Sequence, residues 1–136
     1  MKPEPVVLRR AASVEELVAC VLRTRLTEVR KLAAQLNGRT KRGLHDFRIA
    51  CKRLRYALER FAAVEPSLDA IGEGLACLQD ALGEAHDRDV LLGILPPTMP
   101  ATERRLRTRR EACVNQAIMI WKDVEQRMRA LDSHLI

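Results

Sequence analysis

The stretch HDFRIACKRLRYALERF, residues 45–61, places a histidine and several cations just ahead of an apolar stripe. On a helix each residue turns about 100° from the last, which puts His45, Arg48, Lys52 and Arg55 within an arc of about 80°. Phe47, Ala50, Cys51, Leu54, Ala57, Leu58 and Phe61 fall broadly opposite. Arg53 and Arg60 lie to one side, and Glu59 interrupts the strip only at its far end. Lys41 joins the strip if the helix begins early enough. The strip is rich in donors and poor in acceptors, so its chemistry is anion binding. An arginine fork donates two parallel hydrogen bonds to phosphate, and a lysine adds a point charge. A histidine donates either neutral or as a cation.

Like charges three and four residues apart repel by a few tenths of a kcal/mol per pair. Something must offset that repulsion. Either Glu73, Asp80, Glu84 and Asp87 of the following helix pair with the strip, or a bound polyanion does. Further cations could extend the site. Arg23 and Arg30 are one heptad apart on the preceding helix, and Arg105 and Arg109 are neighbours in the run TERRLRTRR.

Four amphipathic segments must position these residues. The first begins at Ser13, where Ser13 and Glu16 form a capping box, and carries Val18, Leu22, Leu26, Val29, Ala33 and Leu36 on one side. Asn37-Gly38 should end it in the left-handed conformation. The second is expected over 43–64, before Glu65-Pro66. The third spans 67–95, with Leu68, Ile71, Leu75, Leu78, Leu82 and Ala85 as its stripe and Gly72, Gly74 and Gly83 as points of close approach or bending. The fourth spans 102–131 after Pro96-Pro97 and Pro100, with Leu106, Cys113, Ala117, Ile120, Val124, Met128 and Leu131 inward. No strand alternation occurs. The predicted fold is all-α, an antiparallel four-helix bundle over 13–136 with an N-terminal arm over 1–12.

The chain has 136 residues, a net charge of +6 and only 3% aromatic residues. Leu, Ala and Val dominate its apolar content, which favours helices. Charge is unevenly placed: seven carboxylates and Arg88 alone give residues 65–100 a charge of −6, in a chain that is otherwise basic. The anion-binding face should therefore be built from the first, second and fourth helices. The excess of positive charge points to a polyanion or an acidic protein face. Cys20, Cys51, Cys77 and Cys113 form no CxxC and suit a reducing compartment. Neither a leader-like apolar segment nor a membrane span is evident, so the cytoplasm is expected. Neither a Gly-rich phosphate loop, nor HExxH, nor a nucleophile elbow occurs, so no enzyme, metal site or cofactor is expected.

The motif LHDFRIACKRLRYALERF resembles the signature of the CHAD family, the conserved-histidine α-helical domain. The matching positions are His45, Arg48, Lys52-Arg53-Leu54-Arg55 and Phe61. A second motif, LGEAHDRDVL over 82–91, follows the family's Leu-Gly, Arg-Asp, Val pattern with His86 in place of the arginine. The resemblance implies a non-catalytic domain that binds inorganic polyphosphate on a basic helical surface. It brings Arg53 into the binding set beside His45, Arg48, Lys52 and Arg55. CHAD domains carry two four-helix bundles, and this chain has about one bundle's worth of residues. The resemblance thus suggests a homodimer restoring the double bundle, or alternatively a fragment or one-bundle variant, in the cytoplasm or at polyphosphate granules. Two other readings compete: a backbone-only nucleic-acid binder, with nucleic acid as the weaker polyanion, and an interaction protein docking an acidic partner.

Overall fold

The computed structural model describes residues 2–8 and 12–135. Residues 1 and 9–11 of the expected arm lie outside the described residues. Four long helices form an all-α bundle: α1 (Val14–Leu32), α3 (Lys41–Phe61), α4 (Leu68–Ile94) and α5 (Pro100–Leu135), with the short α2 (Ala34–Gly38) between the first two. Each long helix packs chiefly on its neighbour in sequence, and the α4–α5 contact is the most extensive.

The starts of the helices follow from local chemistry. Ser13 Oγ accepts from the Glu16 N–H at 3.1 Å, and the Glu16 carboxylate accepts from the Ala12 N–H at 2.6 Å. Thr40 caps α3 by accepting from the Gly43 N–H at 3.0 Å, so α3 begins at Lys41, ahead of the expected start at Gly43. This earlier start puts Lys41 one turn before His45 on the same face. Pro100 opens α5 instead of preceding it, because a first-turn residue needs no N–H donor.

Two expectations about the α1 end change. The first predicted helix is divided at Ala33, whose N–H reaches the Arg30 carbonyl at 3.4 Å. The left-handed residue is Arg39, at φ 57°, and not Asn37 or Gly38. A non-glycine residue in that region costs about 1–2 kcal/mol. Its partners on α5 offset the cost: Arg39 donates to Glu111 and Asn115, each at 2.6 Å, and its carbonyl accepts from Arg110 at 2.8 Å. The α3 end also comes earlier than Val64, because the Val64 and Glu65 N–H groups both turn back onto the Phe61 carbonyl.

The core gathers most of the four predicted stripes and adds Ala81 and Val114, while Leu106 of the fourth stripe is only half-buried and stays outside it. Phe47, Leu54, Leu75, Leu78, Leu82, Val114 and Val124 are fully enclosed, and Trp121 meets Phe47 edge-on with centroids 5.3 Å apart. Gly74 is a true point of close approach, since a Cβ there would lie 2.8 Å from Val124 Cγ2 of α5. Gly72 faces open space. Glu28 is the buried carboxylate of α1, held by Arg25 and by Arg53 of α3 at 3.4 Å.

Candidate functional site

The α3 strip sits on the outer face of the bundle, along the seam with α4. Lys41, His45 and Arg48 line one notch with Leu82, His86 and Asp89 of α4. Arg48 lies over Gly83, where an added Cβ would sit 3.9 Å from its Nη2. Lys52 continues the strip, and its Nζ is 5.7 Å from the centre of the Tyr56 ring. Arg55 closes it, 5.4 Å from the same ring and with Nε 3.3 Å from Glu59. From Lys41 to Arg55 the strip extends about 21 Å at the helical rise.

Among the described residues, Lys41, Arg48 and Lys52 make no ion pair. The α4 carboxylates do not pair with them. Glu84 instead meets Arg109 of α5 at 2.9 Å, and Asp89 meets Arg110 at 2.6 Å. Asp69, Glu73, Asp80 and Asp87 are exposed. Two α4 carboxylates thus pair with α5 arginines, and none pairs with Lys41, Arg48 or Lys52 among the described residues. The α3 strip therefore borders α4, the helix expected to lie apart from it, and α4 brings Leu82, His86 and the Arg110-paired Asp89 to the notch.

Several sequence candidates are therefore not brought to the strip. Arg53 turns to the α1 side and holds buried Glu28. Arg30 reaches Glu125 of α5 at 3.3 Å. Arg109 is held by Glu84. In each case a carboxylate on a neighbouring helix lies nearer than the strip. Arg105 is exposed on α5 one turn before Arg109, and Arg23 is exposed on α1; neither makes an ion pair with α3 among the described residues. The structure keeps Lys41, His45, Arg48, Lys52 and Arg55 together and adds His86, which the second motif had marked only by its departure from the family pattern.

Glu84 has two donors. Cys113 Sγ lies 3.2 Å from its Oε2 and Arg109 is on the same oxygen, and together they hold the carboxyl below the usual glutamate range. Burial first, then Glu84, pushes the Cys113 thiol up, so it stays protonated and donates. A lowered carboxyl pKa stabilises the fold above the ordinary carboxylate range, and that contribution fades as pH falls through the folded-state value. Thermal unfolding across acid pH should show Glu84→Gln melting below the parent at neutral pH, with the two curves converging in acid. Parallel curves would mean that Glu84 is uncoupled from folding. Burial likewise pushes the Cys51 thiol up strongly, which leaves it an inert core residue.

A family model described as CHAD domain matches residues 2–96, taking in α1 to α4 and both motifs. The chain belongs to the CHAD family. CHAD domains are associated with polyphosphate binding. In this CHAD chain α5 lies beyond the matched segment and supplies Arg110 and Trp121. No curated protein and no solved structure matches the chain. Among the described residues, no helix of this CHAD chain is long and apolar enough to cross a membrane, and no three His, Cys, Asp or Glu residues gather where they could hold a metal ion.

Proposed function

We propose that this CHAD chain is a non-catalytic module that binds inorganic polyphosphate along the α3–α4 seam. One observation carries the reading. Lys41, Arg48 and Lys52 stand in a row without carboxylate partners among the described residues, beside an acidic helix whose paired carboxylates go to α5. A row of fixed charges suits a linear polymer of phosphates. The ligand lies on the surface: the notch at His45 holds about 10 Å³, so a phosphate rests on its rim and does not enter. Such a protein would act where polyphosphate accumulates, in the cytoplasm or at granules. A homodimer would offer two such strips.

Duplex or single-stranded nucleic acid is the competing ligand. Sequence-tolerant single-strand binding uses aromatic stacking platforms. Here Phe47 is in the core, Trp121 packs on it, and Tyr56 is flanked by Lys52 and Arg55. These positions favour the phosphate polymer. The test is a salt titration of binding to long-chain polyphosphate, with duplex DNA as competitor at equal phosphate concentration. Affinity should fall steeply with salt through counterion release, and DNA should fail to displace the polymer. Displacement by DNA, or no binding at moderate salt, would overturn the assignment.

A further inference from the structure

His45 of α3 and His86 of α4 face each other across the seam, with ring centroids 6.3 Å apart and planes tilted by 33°. Both border the notch that Lys41 and Arg48 also line. Among the described residues neither ring makes a hydrogen bond, so their nitrogens remain available to a ligand. We propose that the two rings clamp one phosphate of the bound chain, and that closing this clamp takes up protons from solvent. The proposal rests on the polyphosphate reading and adds its regulation by pH.

The charges around the pair support it. On α3, Lys41 and Arg48 share the notch with both rings. On α4, Asp87 lies 3.8 Å from His86 Nδ1, but it is 72% exposed and water screens it. Asp89, also in the notch, is bound by Arg110 of α5 at 2.6 Å. Arg110 in turn is held by Glu111 and the Arg39 carbonyl, so it stays behind Asp89. The notch thus has a surplus of positive charge and no uncommitted carboxylate at its floor.

A phosphate chain reverses that field. Its internal phosphates stay singly ionised across the physiological range, so the polymer supplies negative charge without titrating. A protonated imidazole offers two N–H donors and a charge, and charge-assisted hydrogen bonds are the strong ones. Clamping favours the protonated form of the pair, so binding is linked to proton uptake from the buffer, and no covalent bond changes. Affinity therefore rises as pH falls through the window of about pH 8 to 5 in which imidazoles ordinarily change charge.

Calorimetric titration with long-chain polyphosphate at fixed salt, in buffers of different ionisation enthalpy, reads the protons taken up. The parent protein should show net proton uptake, with affinity rising about tenfold or more across that window. His86→Arg fixes the charge and should bind with smaller uptake and a shallower pH profile, while retaining affinity at the alkaline end. The double variant His45→Gln/His86→Gln should show a nearly flat profile. Circular dichroism at both pH limits checks that the helices persist in each variant. Binding without proton uptake, or a His86→Arg profile identical to the parent's, would overturn the clamp alone. Absence of polyphosphate binding at every pH would overturn the site reading and the clamp with it.

Discussion

Replacing Arg48 and Lys52 together with alanine should weaken polyphosphate binding about fifteenfold near physiological salt, with the helical fold intact. The size follows from counterion release. Each phosphate contact contributes roughly 0.7–0.9 to the slope of log affinity against log salt, so two lost contacts flatten that slope by about 1.5. Between molar and physiological salt such a change amounts to roughly a factor of fifteen. The fold should hold because neither side chain makes an ion pair among the described residues, and the two are four apart on one helix face. Removing their mutual repulsion is worth a few tenths of a kcal/mol in favour of the helix. Binding isotherms over a salt series, with melting curves alongside, give both quantities. Unchanged affinity would make the strip an ordinary solvated face. Arg53→Ala is the useful contrast: it abandons buried Glu28, so it should lower the melting temperature and leave the salt slope alone.

Arg110→Ala should produce the largest loss of stability, about 3 kcal/mol. All three guanidinium nitrogens are committed: Nε to Asp89 at 2.6 Å, Nη1 to Glu111 at 3.1 Å and Nη2 to the Arg39 carbonyl at 2.8 Å. The Arg110 and Asp89 side chains are only 13% and 12% exposed, so the truncation leaves a nearly buried carboxylate without its cation. For a domain of this size the loss corresponds to a fall in melting temperature of about 10 °C. A second effect should accompany it. Asp89 borders the notch with His45 and His86, so its released charge repels an incoming phosphate. Asp89→Leu combined with Arg110→Met should recover much of the stability, because a buried pair is costly mainly when one partner is removed. A double variant as unstable as Arg110→Ala would assign the network's value to the Arg39 turn instead.

The apolar stripes were legible because helical periodicity is local: Leu68, Ile71, Leu75, Leu78, Leu82 and Ala85 were all expected inward and all are buried. The strip on α3 was legible for the same reason. Its extension to Lys41 depended on whether Thr40 would cap the helix, which spacing alone left open. What the sequence did not reveal was how the cations would pair across helices. Arg30 and Arg109 sit in helical stretches as basic as the one around Arg48 and Lys52, and Arg53 lies beside that strip. Only the packing brings Glu125, Glu28 and Glu84 to them. The His45–His86 encounter was hidden likewise, because it joins two motifs on different helices. Arg39 in the left-handed region ran against residue preference, and its reason lies on α5, far along the chain.

The exposed carboxylates of α4 have a consequence for how a polymer meets the protein. Asp69, Glu73, Asp80 and Asp87 lie on the outer side of a helix that runs beside the basic strip. One flank of the bundle is therefore basic and the adjoining flank acidic. If polyphosphate is the ligand, this asymmetry would turn the protein during approach so that α3 leads, a form of electrostatic steering. It would also oppose wrapping, since a chain leaving the seam sideways would run onto negative charge. On the proposed reading the polymer would be kept in single file along one helix, with most of its circumference open, and a long chain would carry many copies side by side.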